Sequence, residues 1–261
     1  MDTRELLFEL HDDGIGRVVF NRPQARNALT FEMYDRLVEI CELANADPCI
    51  RVLLLSGAGG QAFAAGTDVE PLKSLTTAER VAAYEARVER TLRALETCRV
   101  PTVAAIAGAC TGGGLIIAAA CDLRIGAADA RLGMPIARTL GNCLSAKNAA
   151  RIVALTGIAR FRAMVFSARL FTGEEAFGVG LLSEVADSVG SLHERADVLA
   201  RTVAGHSPLT LQSTRELLRR MQAAVENVED MDLLTRCYTS NDFQEGIAAF
   251  LGKRAPHWRG D

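Results

Sequence analysis

Two glycine-centred segments hold the residue types and spacing from which chemistry can be read: Ala62-Phe63-Ala64-Ala65-Gly66-Thr67-Asp68 and Gly108-Ala109-Cys110-Thr111-Gly112-Gly113-Gly114. Each follows a stretch that reads as a buried strand. Two such turns can aim backbone N–H groups at one substrate oxygen, which makes an oxyanion hole without any side-chain chemistry. Glycines 112 to 114 taken alone would serve close strand-to-helix packing. A helix starting at Gly114 or Leu115, however, directs unpaired N–H groups and a positive dipole end at whatever lies before it. Beyond the turns, where an acid-base group is expected, the chain carries Leu115, Ile116 and Ile136. The stabilising half of a catalyst is therefore easier to find than the half that moves protons.

The elements that must position these turns follow from periodicity. Leu6 to Leu10 and Arg17 to Phe20 flank Asp12-Asp13-Gly14 and read as a hairpin, ended by Asn21-Arg22-Pro23. Thr30 caps an amphipathic helix to about Ala46. Ile50 to Ser56 is almost purely aliphatic, as expected for a strand covered on both faces. Thr76 and Glu79 form a capping box for a long helix to about Cys98. Thr102 to Ala107 is strand-like, Leu115 to Ala120 helical, and Asp122 to Ala127 another strand. Thr172 with Glu175 makes a second capping box, followed by the strand Leu182 to Ala186. From about Leu192 only helices are expected. Ser207 caps one with Pro208 in its first turn, and Asp242 with Glu245 caps the last, which stops at Gly252. Two regions are thus expected, a core over residues 1–191 and a helical appendage over 192–261.

Bulk properties exclude several classes. The 261 residues are 49% hydrophobic, ample for a substantial core, and the net charge of −3 leaves no electrostatic footprint for nucleic acid. Seven cysteines form no CxxC pair and four scattered histidines give no metal-ligand spacing, so no metal site is expected. The N-terminal MDTRELLFELHDD lacks the apolar core of a signal peptide, and with the cysteine usage this predicts a cytoplasmic protein. Val100 to Cys121 is uncharged, but its proline and glycines divide it into strand, turn and helix, and no membrane span is predicted. Gly57-Ala58-Gly59-Gly60-Gln61-Ala62 matches the dinucleotide pattern, yet no long helix follows at once, so the match is read as accidental.

The chain resembles the crotonase (enoyl-CoA hydratase/isomerase) superfamily. The matching pieces are Asn21 to Leu29, Phe63 to Asp68, Gly108 to Gly114, Ala119-Ala120-Cys121-Asp122, Leu170 to Ala176 and Glu245 to Arg254. The resemblance implies an α/β fold: a crotonase-like spiral of ββα units with a C-terminal helical trimerisation region, assembling as a homotrimer or a dimer of trimers. It implies an acyl-CoA thioester substrate, fatty acid metabolism as the setting, and no cofactor, coenzyme A being part of the substrate. The carbonyl oxygen would be held by the backbone N–H groups of Thr67 and Gly113. Gln24, Ala25 and Arg26 would lie near the pantetheine and phosphates, and Ala64, Ala65, Asp68 and Val69 would border the adenine. Phe250 and Lys253 would complete the coenzyme A site.

By the same resemblance, the two glutamates of hydratases fall on Ile116 and Ile136. Isoleucine neither transfers a proton nor orients water, so hydration by the usual pair is not supported. The loop Arg138 to Ser145 offers substitutes. Cys143 is a nucleophile, a weak acid or, as the favoured reading, a buried structural thiol. Asn142 donates a hydrogen bond or holds a water. Arg138 meets an acyl carboxylate or pairs with a structural acid. Asp68 belongs to the oxyanion turn or to structure, and no base is assigned. The expected activity is of the enoyl-CoA hydratase/isomerase type; decarboxylation, hydrolysis or dehalogenation of a CoA ester, and a catalytically silent acyl-CoA-binding paralogue, stay open.

Overall fold

The computed structural model describes residues 5–222 and 229–259. Strands β1 (Leu6–Leu10) and β2 (Ile15–Phe20) form the antiparallel hairpin, Leu6 opposite Phe20. Helix α1 (Phe31–Ala46) starts at Thr30, whose hydroxyl accepts from the Met33 N–H at 3.3 Å. Then comes a repeating strand-strand-helix unit. Its first copy is β3 (Val52–Gly57), β4 (Ala62–Ala64) and α2 (Ala78–Thr97). The second is β5 (Thr102–Ile106), β6 (Ala109–Thr111) and α3 (Gly113–Ala120). The third is β7 (Leu123–Ala127), β8 (Arg131–Gly133), the single turn α4 (Ile136–Thr139) and α5 (Ala146–Phe166), the last interrupted at Gly157 with φ 73°. Strand β9 (Leu170–Thr172), α6 (Gly173–Gly178) and β10 (Glu184–Ala186) complete the strands. Helices α7 (Val189–Ala204), α8 (Pro208–Gln222), α9 (Met231–Tyr238) and α10 (Asn241–Leu251) follow.

The first strand of each unit joins a six-stranded sheet of order β1-β2-β3-β5-β7-β10, parallel from β2 onward. The second joins a four-stranded sheet of order β4-β6-β8-β9. Strand periodicity sorts the core. Leu53, Leu55, Ala104 and Ile106 face α1, α2 and α3, whereas Val52, Leu54, Val103 and Ala105 face the Leu192, Ala196, Ala200 and Val203 stripe of α7. This is why the strand runs are apolar at consecutive positions rather than alternating.

Several expectations are corrected in detail. Helix α2 is capped by Thr77, which accepts from the Arg80 N–H at 3.4 Å, not by Thr76. Helix α10 is capped by Ser240, which accepts from the Phe243 N–H at 3.0 Å, not by Asp242. Helix α3 begins at Gly113, one residue before Gly114 and two before Leu115, the expected starts. The division between residues 191 and 192 falls inside α7, which packs on the large sheet as part of its core. No long helix follows Gly57 to Gly60, where the chain enters the three-residue β4. The apolar run 100–121 is divided among β5, β6 and α3, and no helix among the described residues is long and apolar enough to cross a membrane.

Candidate active site

The turns are placed by close backbone packing. A Cβ on Gly108 would lie 2.0 Å from the Gln61 carbonyl oxygen, and one on Gly114 2.0 Å from that of Ala64, so only glycine lets β4 and the second turn approach this closely. Asn27, fully buried, ties the approach to β4 by donating through Nδ2 to the carbonyls of Ala58 at 3.0 Å and Ala62 at 2.7 Å. In the first turn, the Leu29 N–H donates to the Gly66 carbonyl and the Asp68 N–H to the Leu29 carbonyl, each at 2.8 Å. The Thr67 N–H between them has no acceptor among the described residues. Neither has the Gly113 N–H, the first of α3 and one of the amides that a helix start always leaves unpaired.

Side chains bring the two turns together. The Thr67 hydroxyl is 2.8 Å from the Tyr34 hydroxyl and 3.3 Å from that of Tyr84. A Cβ on Gly113 would stand 2.6 Å from the Tyr34 hydroxyl and 2.9 Å from the Thr67 Oγ1, so both turns meet at one place. They open on a cavity with about 870 Å³ of empty space, part of it continuous with solvent. Ala65, Thr67 and Val69 line it from the first turn, and Thr111, Gly112, Gly113 and Ile116 from the second. Met134, Ile136 and Leu144 add further apolar wall. Ile116 and Ile136 are both buried.

Helix α2 supplies the opposite chemistry. Its apolar stripe, Val81, Val88, Leu92 and Leu95, is interrupted by Glu85, one turn after Val81 and one before Val88. The Tyr238 hydroxyl, brought by α9, donates to the Glu85 carboxylate at 3.0 Å and accepts from Asn142 Nδ2 at 3.1 Å. Asn142 Oδ1 is buried with no partner in the structure. Burial pushes the Glu85 carboxyl up to about 7; the Tyr238 hydrogen bond opposes this, and the charges of Asp230 and Glu89 add to it. Burial likewise holds the phenols of Tyr34, Tyr84 and Tyr238 above their ordinary range, so all three remain protonated donors.

The residues singled out in the sequence are distributed unevenly around this cavity. Asn142 and Cys143 line it. Burial, the neighbouring Cys237 and the charges of Glu85 and Asp230 push the Cys143 thiol up to about 12, and its Sγ lies 3.6 Å from the Leu233 carbonyl. A thiol so placed is uncharged near neutrality and makes a poor nucleophile. Arg138 is exposed on α4 and is not among the walls. Ala65, Val69 and Phe250 are walls, whereas Lys253 is exposed beyond α10. Ala64 is buried in β4. Asp68 is paired with Arg22 at 3.0 Å. Gln24 and Ala25 lie in a 3₁₀ turn, Pro23–Ala25, outside the walls, and Arg26 next to it accepts from the Ala65 N–H at 3.1 Å through its carbonyl. Glu85, Tyr84 and Tyr238 escaped the sequence reading, although a single charge inside the apolar stripe of α2 was a signal for the first.

The fold is that of the crotonase-fold acyl-CoA enzymes. The chain belongs to the enoyl-CoA hydratase/isomerase family, whose sequence pattern matches residues 11–261. It is 30% identical over 275 residues to a peroxisomal Delta(3,5)-Delta(2,4)-dienoyl-CoA isomerase of Arabidopsis thaliana, covering 98% of this chain and 96% of that protein. It is 33% identical over 246 residues to the 2,3-dehydroadipyl-CoA hydratase of Escherichia coli K12, covering 93% and 94%. The structure superposes on an enoyl-CoA hydratase/carnithine racemase from Magnetospirillum magneticum with a TM-score of 0.80 at 29% identity, covering 100% and 97% of the two chains.

Proposed function

We propose that the cavity binds an acyl-CoA thioester and stabilises its enolate, with the N–H groups of Thr67 and Gly113 converging on the thioester oxygen. One observation carries this reading: two turns from different units meet through Thr67 and Gly113 while both amides lack an acceptor. Such donors, fixed before the charge develops, lower the barrier to enolate formation without reorganising. The coenzyme A portion would run along Gln24, Ala25, Arg26, Ala65, Asp68 and Val69, with Phe250 and Lys253 closing over it.

Ile116 and Ile136 stand where family hydratases carry their two glutamates, and both present methyl groups to the cavity. Water would find no carboxylate pair there, so the activity assigned is a proton shift rather than hydration by that pair. A second reading, decarboxylation, draws support from the same apolar walls, because loss of CO₂ generates the enolate without a base. Coenzyme A arrives as part of the substrate and no other cofactor is needed. A cytoplasmic location accords with seven unpaired cysteines. Exposed Phe166, Leu209, Leu217 and Met221 offer apolar surface for a homotrimer or a dimer of trimers.

The test is turnover of a CoA-thioester panel of α,β-unsaturated, β,γ-unsaturated and α-carboxylated acyl groups, followed by mass and by proton NMR. Gly113→Pro removes one donor at a helix position that tolerates proline; the nearby Tyr34 hydroxyl is accommodated by pairing the change with Tyr34→Phe. Turnover should fall about 10²- to 10³-fold relative to Tyr34→Phe alone. Unchanged turnover in the folded double variant would remove Gly113 from the hole.

A further inference from the structure

We propose that Glu85 is the acid-base residue of this cavity, supplied by α2 in place of the carboxylates absent at positions 116 and 136. The proposal rests on the acyl-CoA reading above. Glu85 is the only Asp, Glu, Lys, Arg or His among the described walls. Its neighbour Tyr84 touches the Thr67 hydroxyl, so the turn of α2 that carries the carboxylate also reaches the oxyanion turn.

Its surroundings distinguish it from a structural acid. No ion pair engages Glu85 among the described residues, whereas Glu89 and Glu96 of the same helix are both bound by Arg151. A carboxylate without a cation is costly to keep in an apolar wall. Here it is held by a directed relay: Asn142 donates to Tyr238, and Tyr238 donates to Glu85. Asn142, itself one of the cavity walls, ends that relay with a buried Oδ1 that has no partner.

The groups facing the carboxyl come from three elements. Glu89 lies one turn along α2, Asp230 stands at the start of α9, and both repel its charge; Tyr238 of α9 stabilises the charge, and Cys143 faces it as an uncharged thiol. Arg151 at 2.9 Å and Lys147 at 3.7 Å pair with Glu89, and no described cation pairs with Glu85 itself. The result is a carboxyl that titrates near neutrality, where one group serves as base and then as acid.

The step balances within the site. The Glu85 carboxylate takes the α-proton of a β,γ-unsaturated acyl-CoA and becomes a carboxylic acid. The C–H electron pair moves into the thioester, giving an enolate whose oxygen meets the Thr67 and Gly113 amides. Glu85 then returns its proton to the γ-carbon, and the double bond arrives at the α,β position. No water, oxidant or second carboxylate takes part.

The probe is but-3-enoyl-CoA in D₂O, with loss of α-proton signal and formation of crotonyl-CoA followed by proton NMR. The wild type should exchange and isomerise, its rate rising with pH through about 7. Glu85→Gln should lower the rate by about 10²- to 10⁴-fold with KM little changed, and Glu85→Asp should restore part of it. Tyr238→Phe, which removes the bond that holds the carboxyl down, should move the pH limb upward, a change that a purely structural role would not produce. Wild-type exchange that persists in folded Glu85→Gln overturns the assignment of Glu85 and leaves the enolate reading standing. If Glu85→Gln does not fold, an unmoved limb in Tyr238→Phe overturns the assignment. A wild type that exchanges none of the CoA-thioester panel overturns the enolate reading itself.

Discussion

Glu85→Gln should lose activity and gain stability, and the gain should depend on pH. In the folded protein the Glu85 carboxyl sits at about 7, against an ordinary 4.5 in the unfolded chain. The folded state therefore binds this proton more tightly, so ionisation of Glu85 costs stability. The cost is absent well below pH 4.5, grows between 4.5 and 7, and is complete above 7. A separation of 2.5 between 7 and 4.5 corresponds to about 3 kcal/mol. Water entering through the open side of the cavity screens part of it, leaving about 2 to 3 kcal/mol. Glutamine keeps the shape and still accepts from Tyr238, but never ionises. Urea unfolding at fixed protein concentration should place Glu85→Gln about 2 to 3 kcal/mol above the wild type at pH 8.5 and within about 0.5 kcal/mol of it at pH 4.5. A variant less stable than the wild type at pH 8.5, or equally favoured at both pH values, would refute the reasoning.

Two other perturbations test neighbouring features. Arg151, whose side chain is 8% exposed, holds Glu96 at 2.6 Å, Glu89 at 2.9 Å and Asn148 at 2.8 Å, so Arg151→Met should destabilise the fold by about 3 to 5 kcal/mol in urea unfolding. Cys143, with its thiol pushed up to about 12, should resist iodoacetamide at pH 7.5 on a timescale that labels the exposed Cys49, as read by peptide mass spectrometry.

Much of the frame is legible in the sequence because it obeys simple periodicities. The aliphatic runs became β3 and β5, the capped segments became helices, and the glycine turns lie where close backbone contact demands them. The short strands β4, β6, β8 and β9 escaped. At three residues each they are too brief to show a period, and their existence depends on partners from other units. Thr76 and Thr77 illustrate the limit at a helix start: adjacent threonines present the same chemistry, and backbone direction alone decides which hydroxyl meets the Arg80 N–H. The resemblance puts Arg138 in the loop to Ser145 that offers substitutes for the missing acids, but the single turn of α4 leaves its side chain exposed. Glu85 lay in the reverse position, 57 residues before Asn142 in the chain yet joined to it through one phenol.

The apolar residues at 116 and 136 and the acidic one at 85 are best understood as one arrangement. A second carboxylate in the same cavity would repel Glu85, and the pair would share its protons rather than act separately. With Ile116, Ile136 and Met134 in the walls, burial is instead the largest influence on a single acid. The same methyl groups that remove a water-holding pair help to keep Glu85 near neutrality, where a proton taken from carbon can be given back. Tyr238 then limits the shift, since its hydrogen bond favours the ionised form. The base is thus set between two opposing influences, burial and one phenolic donor. Because α9 contributes that donor, the C-terminal helices do more than cover the spiral core: they help determine the protonation state of a group carried by α2.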